Sequence, residues 1–248
     1  MENNEIDFDL PEIEFQDFEF DASAGFNVTD DLFIDSWNTR ILKPTLNKEI
    51  KDCYLKYDNA AKLAESIDLS ANFRYFVIVN GAFIFGDFLD AFLCVNDMIA
   101  WEMTVSTLSL SEENIYCFAD LLNNGWIRKL NMVVSHYFYA NYRKTLIPLM
   151  YELLDKEDRF QLSICSTHCK LVLIETVDER FYVIHGSANL RSSQNLEQIV
   201  IEENKELYDF NHEYHTALIE KYKTINKPIR SKLLWQVVQE AEAKKAEL

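Results

Sequence analysis

The 248-residue sequence contains no uninterrupted run of eighteen apolar residues, about the minimum that spans a bilayer. The best candidate, residues 76–95, is broken by Asn80, Asp87 and Asp90. This segment predicts a strand, a turn and a helix, and we therefore expect no integral membrane association.

Cysteine is scarce, and its number does not suit a disulfide framework. The chain has five cysteines, an odd number that favours reduced thiols in a cytoplasm. The acidic N-terminus lacks the basic residues with which a secretory signal begins. Both features predict a cytoplasmic protein.

Lysine and arginine are missing from the first 35 residues, which contain twelve acidic residues. Without this segment the formal net charge of −17 falls to −5, from 29 acids against 24 bases. Nucleic-acid affinity rests largely on cations at the phosphates, so the overall charge disfavours such a partner. The uneven distribution still allows a local basic groove elsewhere in the chain.

Within residues 1–35, residues 6–21 alternate acids with large apolar side chains. The alternation suits a strand, but it is also typical of disordered docking segments. We interpret the segment as an acidic arm that is flexible or docks on a protein partner. The alternative is that it lowers nucleic-acid affinity by competing for the cations Lys170, Arg180 and Arg191, an effect that salt would weaken.

The hydrophobic periodicity of the rest of the chain divides it into strands and helices. We expect a helical lead-in segment at residues 36–71, centred on 46–66, then one domain at 72–225 and a C-terminal helix at 226–248. Strands are predicted at 75–79, 101–106, 130–134, 160–166, 169–174, 182–184 and 198–201, and helices at 87–94, from 111, at 141–154 and at 203–222. Alternating elements followed by clustered strands predict an α/β fold, a mixed β-sheet with helices on both faces.

Between residues 168 and 197 the sequence collects side chains that suit phosphodiester chemistry. His168 and Lys170 are two apart in an aliphatic run, so on a strand they share one face. Ser187 and Asn189 repeat this spacing, and Glu197 follows. An imidazole can attack phosphorus, while a cation and an amide hold the phosphate oxygens and a carboxylate orients the ring.

This pattern resembles the motif of the phospholipase D superfamily, which is H-x-K, then four residues and an acid, then G-S-x-N. The matching residues are His168, Lys170, Glu175, Gly186, Ser187 and Asn189. The trailing Asn195-Leu196-Glu197 resembles the N-x-E of the small bacterial endonucleases of that superfamily. Where the superfamily usually has aspartate this chain has Glu175, a position that supports the fold around the site. The resemblance covers about residues 72–222 and implies an α-β-α sandwich.

The resemblance also implies a mechanism, that of a metal-independent phosphodiesterase, here a nuclease without a cofactor. His168 would be the nucleophile in one protomer and the general acid in the other. Lys170 and Asn189 would bind the phosphate with help from Ser187, and Glu197 would fix the histidine tautomer.

The superfamily chemistry needs two H-x-K motifs, and this chain has one. His136 does not supply a second copy, because Tyr137 and Phe138 follow it. Single-motif members of the superfamily pair two sites across a two-fold axis, so the resemblance implies a homodimer.

A segment from His136 to Lys144 interleaves aromatic and basic residues. It predicts a surface that stacks and clamps nucleic acid, with Tyr139 and Arg143 as substrate-binding candidates and Arg191 reaching an adjacent phosphate. The same segment also suits the packed start of a helix.

Other functions and sites compete with this interpretation. A non-catalytic binding or regulatory protein, acting through the acidic arm, would keep the fold without the chemistry. A lipid phosphodiesterase is disfavoured, because no basic amphipathic surface helix is evident. A metal site at Cys165, His168 and Cys169 lacks a fourth ligand. The helix carrying His212 and His215 is expected to turn them towards solvent.

Overall fold

The computed structural model describes residues 50–57, 59–69, 73–80, 83–191 and 195–223. The acidic arm and the expected C-terminal helix at 226–248 lie outside these described residues.

The described elements alternate along the chain before the strands cluster. The strands are β1 (Lys51–Tyr57), β2 (Phe73–Val79), β3 (Ala100–Thr107), β4 (Leu130–Ser135), β5 (Phe160–Cys165), β6 (Leu171–Thr176), β7 (Phe181–Gly186) and β8 (Glu197–Glu203). The helices are α1 (Ala60–Ser66), α2 (Phe85–Val95), α3 (Glu112–Asn123), α4 (His136–Tyr142), α5 (Leu146–Leu154) and α6 (Lys205–Tyr222). Each predicted strand corresponds to one of these, with bounds that differ by at most two residues.

The strands form one mixed sheet in the order β1-β2-β8-β7-β6-β3-β4-β5. β6 and β8 run antiparallel to their neighbours, whereas β1–β2, β3–β4 and β4–β5 are parallel pairs. The starts of β6 and β8 therefore lie at the same edge as the ends of the other six strands. We call this the motif edge, and it comprises the strand termini at Tyr57, Val79, Thr107, Ser135, Cys165, Leu171, Gly186 and Glu197.

Helices cover both faces of the sheet. Phe88 of α2 is fully buried in the main core, to which β6 contributes Val172. The next residue of β6, Leu173, packs instead with Tyr208 of α6, because successive strand residues point to opposite faces. The predicted α/β fold, a mixed sheet between helices, is confirmed.

The lead-in segment is not helical throughout, so that prediction is wrong in part. Its middle forms β1, which pairs in parallel with β2 along its whole length. Cys53 and Leu55 pack against the main core, while Tyr54 between them is 77% exposed. This alternation of buried and exposed side chains with a period of two is a strand pattern. The sheet therefore begins at residue 51, upstream of the predicted domain start at 72.

The single helix predicted at residues 141–154 is instead two helices, α4 and α5. The Ser135 hydroxyl accepts a hydrogen bond from the Phe138 N–H (3.0 Å) and caps α4, which therefore begins at His136. The predicted start of α3 is confirmed, because Ser111 caps it in a capping box with Asn114. The early start of α4 puts its first turn directly at the motif edge.

The prediction that α6 turns its histidines towards solvent is wrong for His215. Its imidazole is 2% exposed, since α6 packs against the sheet and buries Tyr208, His215 and Leu218. Nδ1 donates to the Asn211 carbonyl oxygen (2.8 Å), and the described residues offer no hydrogen-bond partner to Nε2. Burial lowers the pKa of His215, and the Asn211 hydrogen bond opposes this shift.

The burial of His215 predicts that stability falls in mild acid. An unfolded histidine binds a proton below about pH 6.5, whereas the buried ring resists protonation, so the unfolded state binds more protons there. We expect the free energy of unfolding to be constant above this pH and to fall below it, by on the order of 1 kcal/mol per pH unit. Urea unfolding between pH 5 and 8 measures this slope. His215→Leu should reduce this slope without abolishing it, because burial also lowers the pKa of His136 and of His185. An equal slope in both proteins would contradict the assignment.

Candidate active site

His168 and Lys170 lie in the loop between β5 and β6, not on the strand as predicted. β6 begins only at Leu171. The Cys169 N–H donates to the Thr167 hydroxyl (3.1 Å), a local hydrogen bond that competes with the strand ladder. Both motif side chains therefore belong to one loop at the motif edge.

The ammonium group of Lys170 contacts the imidazole of His168. Nζ lies 3.1 Å from Nδ1 and 3.2 Å from the carbonyl oxygen of His168. An ammonium group only donates, so a neutral His168 ring accepts at Nδ1 and carries its proton on Nε2. Burial lowers the pKa of Lys170, while the Glu197 carboxylate acts in the opposite direction. The cation thus contacts the exposed imidazole and interacts electrostatically with a carboxylate.

A close approach of β7 and β8 positions Ser187. A Cβ atom on Gly186 would lie 2.0 Å from the carbonyl oxygen of Gln198, so the neighbouring strand leaves room only for glycine. The Ser187 N–H donates to that oxygen (2.9 Å), and the Gln198 N–H donates to the Ser187 hydroxyl oxygen (3.0 Å). The Ser187 hydroxyl in turn donates to the Glu197 carboxylate. Two predicted site residues therefore meet through a direct hydrogen bond.

The side-chain amide of Asn189 is oriented by the loop that follows β3. Its Oδ1 accepts hydrogen bonds from the Leu108 N–H (3.2 Å) and the Thr107 hydroxyl (3.5 Å). Thr107 also accepts from the Leu190 N–H (3.4 Å). Because the amide oxygen is used in these bonds, the donating NH₂ group is the part of Asn189 that suits a phosphate oxygen.

The three predicted substrate-binding residues have different environments. Arg191 lies at the motif edge, where Nη1 donates to the Tyr142 hydroxyl (3.1 Å) and the backbone N–H donates to the Ser109 carbonyl (3.4 Å). Tyr139 is half-buried and packs against the main core. Arg143 is exposed at the end of α4. Tyr139 thus packs within the fold, while Arg191 contacts Tyr142.

Several of these groups line one small surface depression. Asn189, Arg191 and Glu197 form it together with Asn80 and Phe85. The loops after β2 and β7 therefore converge with the start of β8. The guanidinium of Arg191 and the amide of Asn189 are donors that suit an anionic group, whereas the carboxylate of Glu197 suits a donor such as an imidazole N–H.

Two residues named in the sequence analysis lie away from the motif edge. Glu175 is near the far end of β6, where burial and the Glu175 carboxylate raise the pKa of Tyr208 on α6. Arg180 precedes β7 at the opposite edge and forms an ion pair with Glu203 at 2.8 Å. Glu175 therefore interacts across the interface between β6 and α6. The expectation that Arg180 belongs to the cationic groove is wrong, because it lies at the opposite edge of the sheet.

The cysteines near the motif are free thiols in the described residues. Cys165 is buried and Cys169 is exposed, and burial raises the pKa of Cys165 to about 11. The described part of the chain contains no cluster of three or more histidine, cysteine, aspartate or glutamate side chains placed to hold a metal ion. None of its helices is long and apolar enough to cross a membrane.

The residues that position the motif carry no signal in the motif itself. Thr107 and Leu108 hold Asn189, and Ser109 holds the backbone of Arg191. Polar residues directly after a buried strand were the available signal, since loops at strand ends commonly carry functional groups.

Comparisons with known proteins give structural matches only. No protein-family model matches the chain, and no curated protein sequence matches it. Nuc from Salmonella typhimurium, a phospholipase D family member, is 16% identical with a TM-score of 0.40, covering 53% of this chain and 85% of Nuc. NucT from Helicobacter pylori is 17% identical with a TM-score of 0.41, covering 51% of this chain and 84% of NucT. A phosphatidylserine synthase from Haemophilus influenzae Rd KW20 is 12% identical with a TM-score of 0.45, covering 70% of this chain and 46% of the synthase.

These similarities are too distant to transfer an activity to the chain. The superfamily that the motif resembles is represented among the matched structures. The case for a function therefore depends on the residues at the motif edge and their chemistry.

Proposed function

We propose that this protein is a metal-independent phosphodiesterase whose nucleophile is His168. The observation that carries the proposal is the convergence of the motif at one edge of the sheet. Lys170 contacts His168, and Ser187 joins Glu197 beside Asn189. A nucleophile, a cation, two neutral hydrogen-bonding groups and a carboxylate are the components that an imidazole attack on phosphorus requires.

The contact between Lys170 and His168 suggests how substrate binding activates the nucleophile. In the described arrangement Nδ1 accepts from Lys170, which leaves the proton on Nε2. An incoming phosphate attracts the ammonium group and frees Nδ1 to hold the proton, with Glu197 as its acceptor. Nε2 then presents a lone pair to phosphorus, while Lys170 and the amide of Asn189 hold the phosphate oxygens.

The reaction then proceeds through two displacements. His168 Nε2 forms a bond to phosphorus as the bond to the leaving oxygen breaks, and a second imidazole protonates that oxygen. Water next attacks the phosphohistidine, loses its proton to the second imidazole and releases His168. In a homodimer the second imidazole is the partner subunit's His168, as the superfamily resemblance implies.

The substrate class that we propose is nucleic acid, which makes the protein a nuclease. Arg191 lies beside Asn189 in the same depression and reaches a neighbouring phosphate of a polymer. The test incubates purified protein with DNA, RNA, phosphatidylcholine vesicles and bis(p-nitrophenyl) phosphate. Cleavage of the nucleic acids supports a nuclease, cleavage of the vesicles alone supports a lipid enzyme, and no cleavage of any substrate indicates a binding protein.

Activity should survive metal removal. An imidazole nucleophile with a lysine and an asparagine at the phosphate needs no ion to generate hydroxide or to neutralise charge. We expect equal rates of bis(p-nitrophenyl) phosphate cleavage before and after EDTA treatment. Loss of activity on chelation, with recovery on adding magnesium or zinc, would contradict the imidazole mechanism.

A mixing experiment tests the proposed dimer. If each site uses His168 from both protomers, a heterodimer with one His168→Ala chain is inactive. When equal amounts of wild-type and His168→Ala protein exchange subunits freely, about one quarter of the dimers retain both imidazoles. Compared with the same total amount of wild-type protein, we expect the exchanged mixture to show about one quarter of the activity. A fall to only about one half would show that each protomer acts independently.

A further inference from the structure

We propose that the substrate is a single-stranded polynucleotide rather than a duplex, bound along an aromatic strip formed by Tyr137, Tyr142 and Arg191. The inference rests on the proposed function, because it names the substrate of the same site. Three features of the motif edge support this inference. The cations Lys170 and Arg191 have carboxylates near them, the exposed ring of Tyr137 lies beside the catalytic loop, and the guanidinium of Arg191 is hydrogen-bonded to Tyr142.

The cations at the motif edge are flanked by carboxylates. Lys170 has Glu197 beside it, and Arg191 interacts electrostatically with Glu113, which is exposed in the first turn of α3 next to Glu112. A duplex presents two rows of phosphates, about one charge per 1.7 Å of its axis. Its second strand would meet these carboxylates, whereas a single strand places one row of phosphates on the cations.

Tyr137 offers a stacking surface next to the catalytic loop. Its side chain is 65% exposed in the first turn of α4. The preceding His136 lies with Nδ1 3.2 Å from the Ser166 hydroxyl oxygen, which brings this turn against the loop that carries His168. The bases of a single strand expose their faces for such stacking. In a duplex they are stacked on one another and unavailable.

Tyr142 positions the guanidinium of Arg191 at the other end of the strip. Its ring packs against Phe138 with centroids 5.0 Å apart, and its hydroxyl accepts from Arg191 Nη1 (3.1 Å). The guanidinium is therefore held at the C-terminal end of α4, while Tyr137 stands in the first turn, five residues before Tyr142. Because five residues turn the helix by about 140° beyond one full circle, a bound strand must curve around this helix, which is about 10 Å long, to meet both ends. A base can stack at one end of this strip while a phosphate is bound at the other.

Binding measurements on full-length protein carrying His168→Ala separate stacking from charge. The probes are labelled oligo(dT), oligo(U), an abasic oligonucleotide with the same number of phosphates, and a blunt duplex. We expect oligo(dT) to bind at least about ten-fold more tightly than the duplex at equal salt. Oligo(U) should share this preference over the duplex, because stacking on an aromatic ring tolerates any base. Equal or tighter binding of the duplex would overturn the inference.

Further substitutions in the His168→Ala protein assign the contacts. Tyr137→Ala should weaken oligo(dT) binding by about ten-fold and leave the abasic oligonucleotide unaffected, because only bases stack. Arg191→Ala should weaken both by a similar factor and reduce the salt dependence, because it removes a phosphate contact. Trp101→Ala is the matched control, since Trp101 is 58% exposed at the opposite edge of the sheet, and it should change neither.

The outcomes distinguish this inference from the proposed function. Equal losses of both oligonucleotides in Tyr137→Ala, or an effect of Trp101→Ala as large, would overturn the aromatic strip. If the protein with His168 intact cleaves bis(p-nitrophenyl) phosphate but shows no preference for single strands, this inference alone fails. If it cleaves neither that small diester nor DNA, RNA or lipid vesicles, the phosphodiesterase proposal fails.

Discussion

Replacing His168 with alanine is expected to reduce phosphodiester cleavage by at least about 10³-fold, the scale seen when a covalent nucleophile is removed. His168 is exposed and lies in a loop, so the substitution removes no buried packing and should leave the fold intact. The initial rate of bis(p-nitrophenyl) phosphate cleavage in EDTA measures the loss, and circular dichroism verifies the fold.

His212→Ala provides the matched control, since it also removes a partly exposed imidazole. His212 Nε2 lies 3.1 Å from a carboxylate oxygen of Glu102. Burial raises the pKa of Glu102, but hydrogen bonds from His212 and Lys129 lower it to about 2. We expect a stability loss of about 1 kcal/mol and nearly normal activity. Similar activity in the two variants would show that the nucleophile is assigned to the wrong residue.

The second large effect is expected from Gly186→Ala. The new methyl group would lie 2.0 Å from the Gln198 carbonyl oxygen, an atom of the neighbouring strand that cannot move without breaking the β7–β8 ladder. We expect the free energy of unfolding to fall by about 3 kcal/mol or more, measured in urea. Activity per folded molecule should also fall, because Ser187 and Glu197 are held by the same strand contact.

Gly125→Ala serves as the comparison for this variant. Gly125 has a positive φ of 80°, but its nearest neighbour to an added Cβ is Arg128 at 3.6 Å. The substitution strains the backbone without a clash, so it should cost about 1 kcal/mol and leave activity per folded molecule unchanged. Equal stability losses in both glycine variants would argue against the close approach at Gly186.

Much of the fold could be predicted because its strands carry local patterns. The run from Leu171 to Thr176 and the hairpin to Gly186 are short aliphatic strands separated by a turn, and they form adjacent antiparallel strands. β1 was not recognised, because its exposed Asp52, Tyr54 and Lys56 and its half-buried Cys53 show no strong apolar alternation. Its pairing with β2 overrides this weak local signal.

The candidate site could be predicted in composition but not in its contacts. The motif identifies the candidate reactive side chains, whereas the residues that orient them come from distant parts of the chain. Asn189 is held by Thr107 and Leu108, more than eighty positions earlier, and Arg191 bonds to Tyr142. Such pairs depend on the strand order, in which β6 and β7 stand between β3 and β8. No local periodicity encodes them.

The covalent intermediate is the most direct test of the central claim. Full-length protein is mixed with a labelled phosphodiester in EDTA, denatured in alkali, in which phosphohistidine persists, and digested for peptide mass spectrometry. The account predicts a phosphorus adduct on the peptide that contains His168, formed and consumed at the rate of turnover and absent from the His168→Ala protein. Turnover without an adduct, or an adduct on another residue, would contradict it.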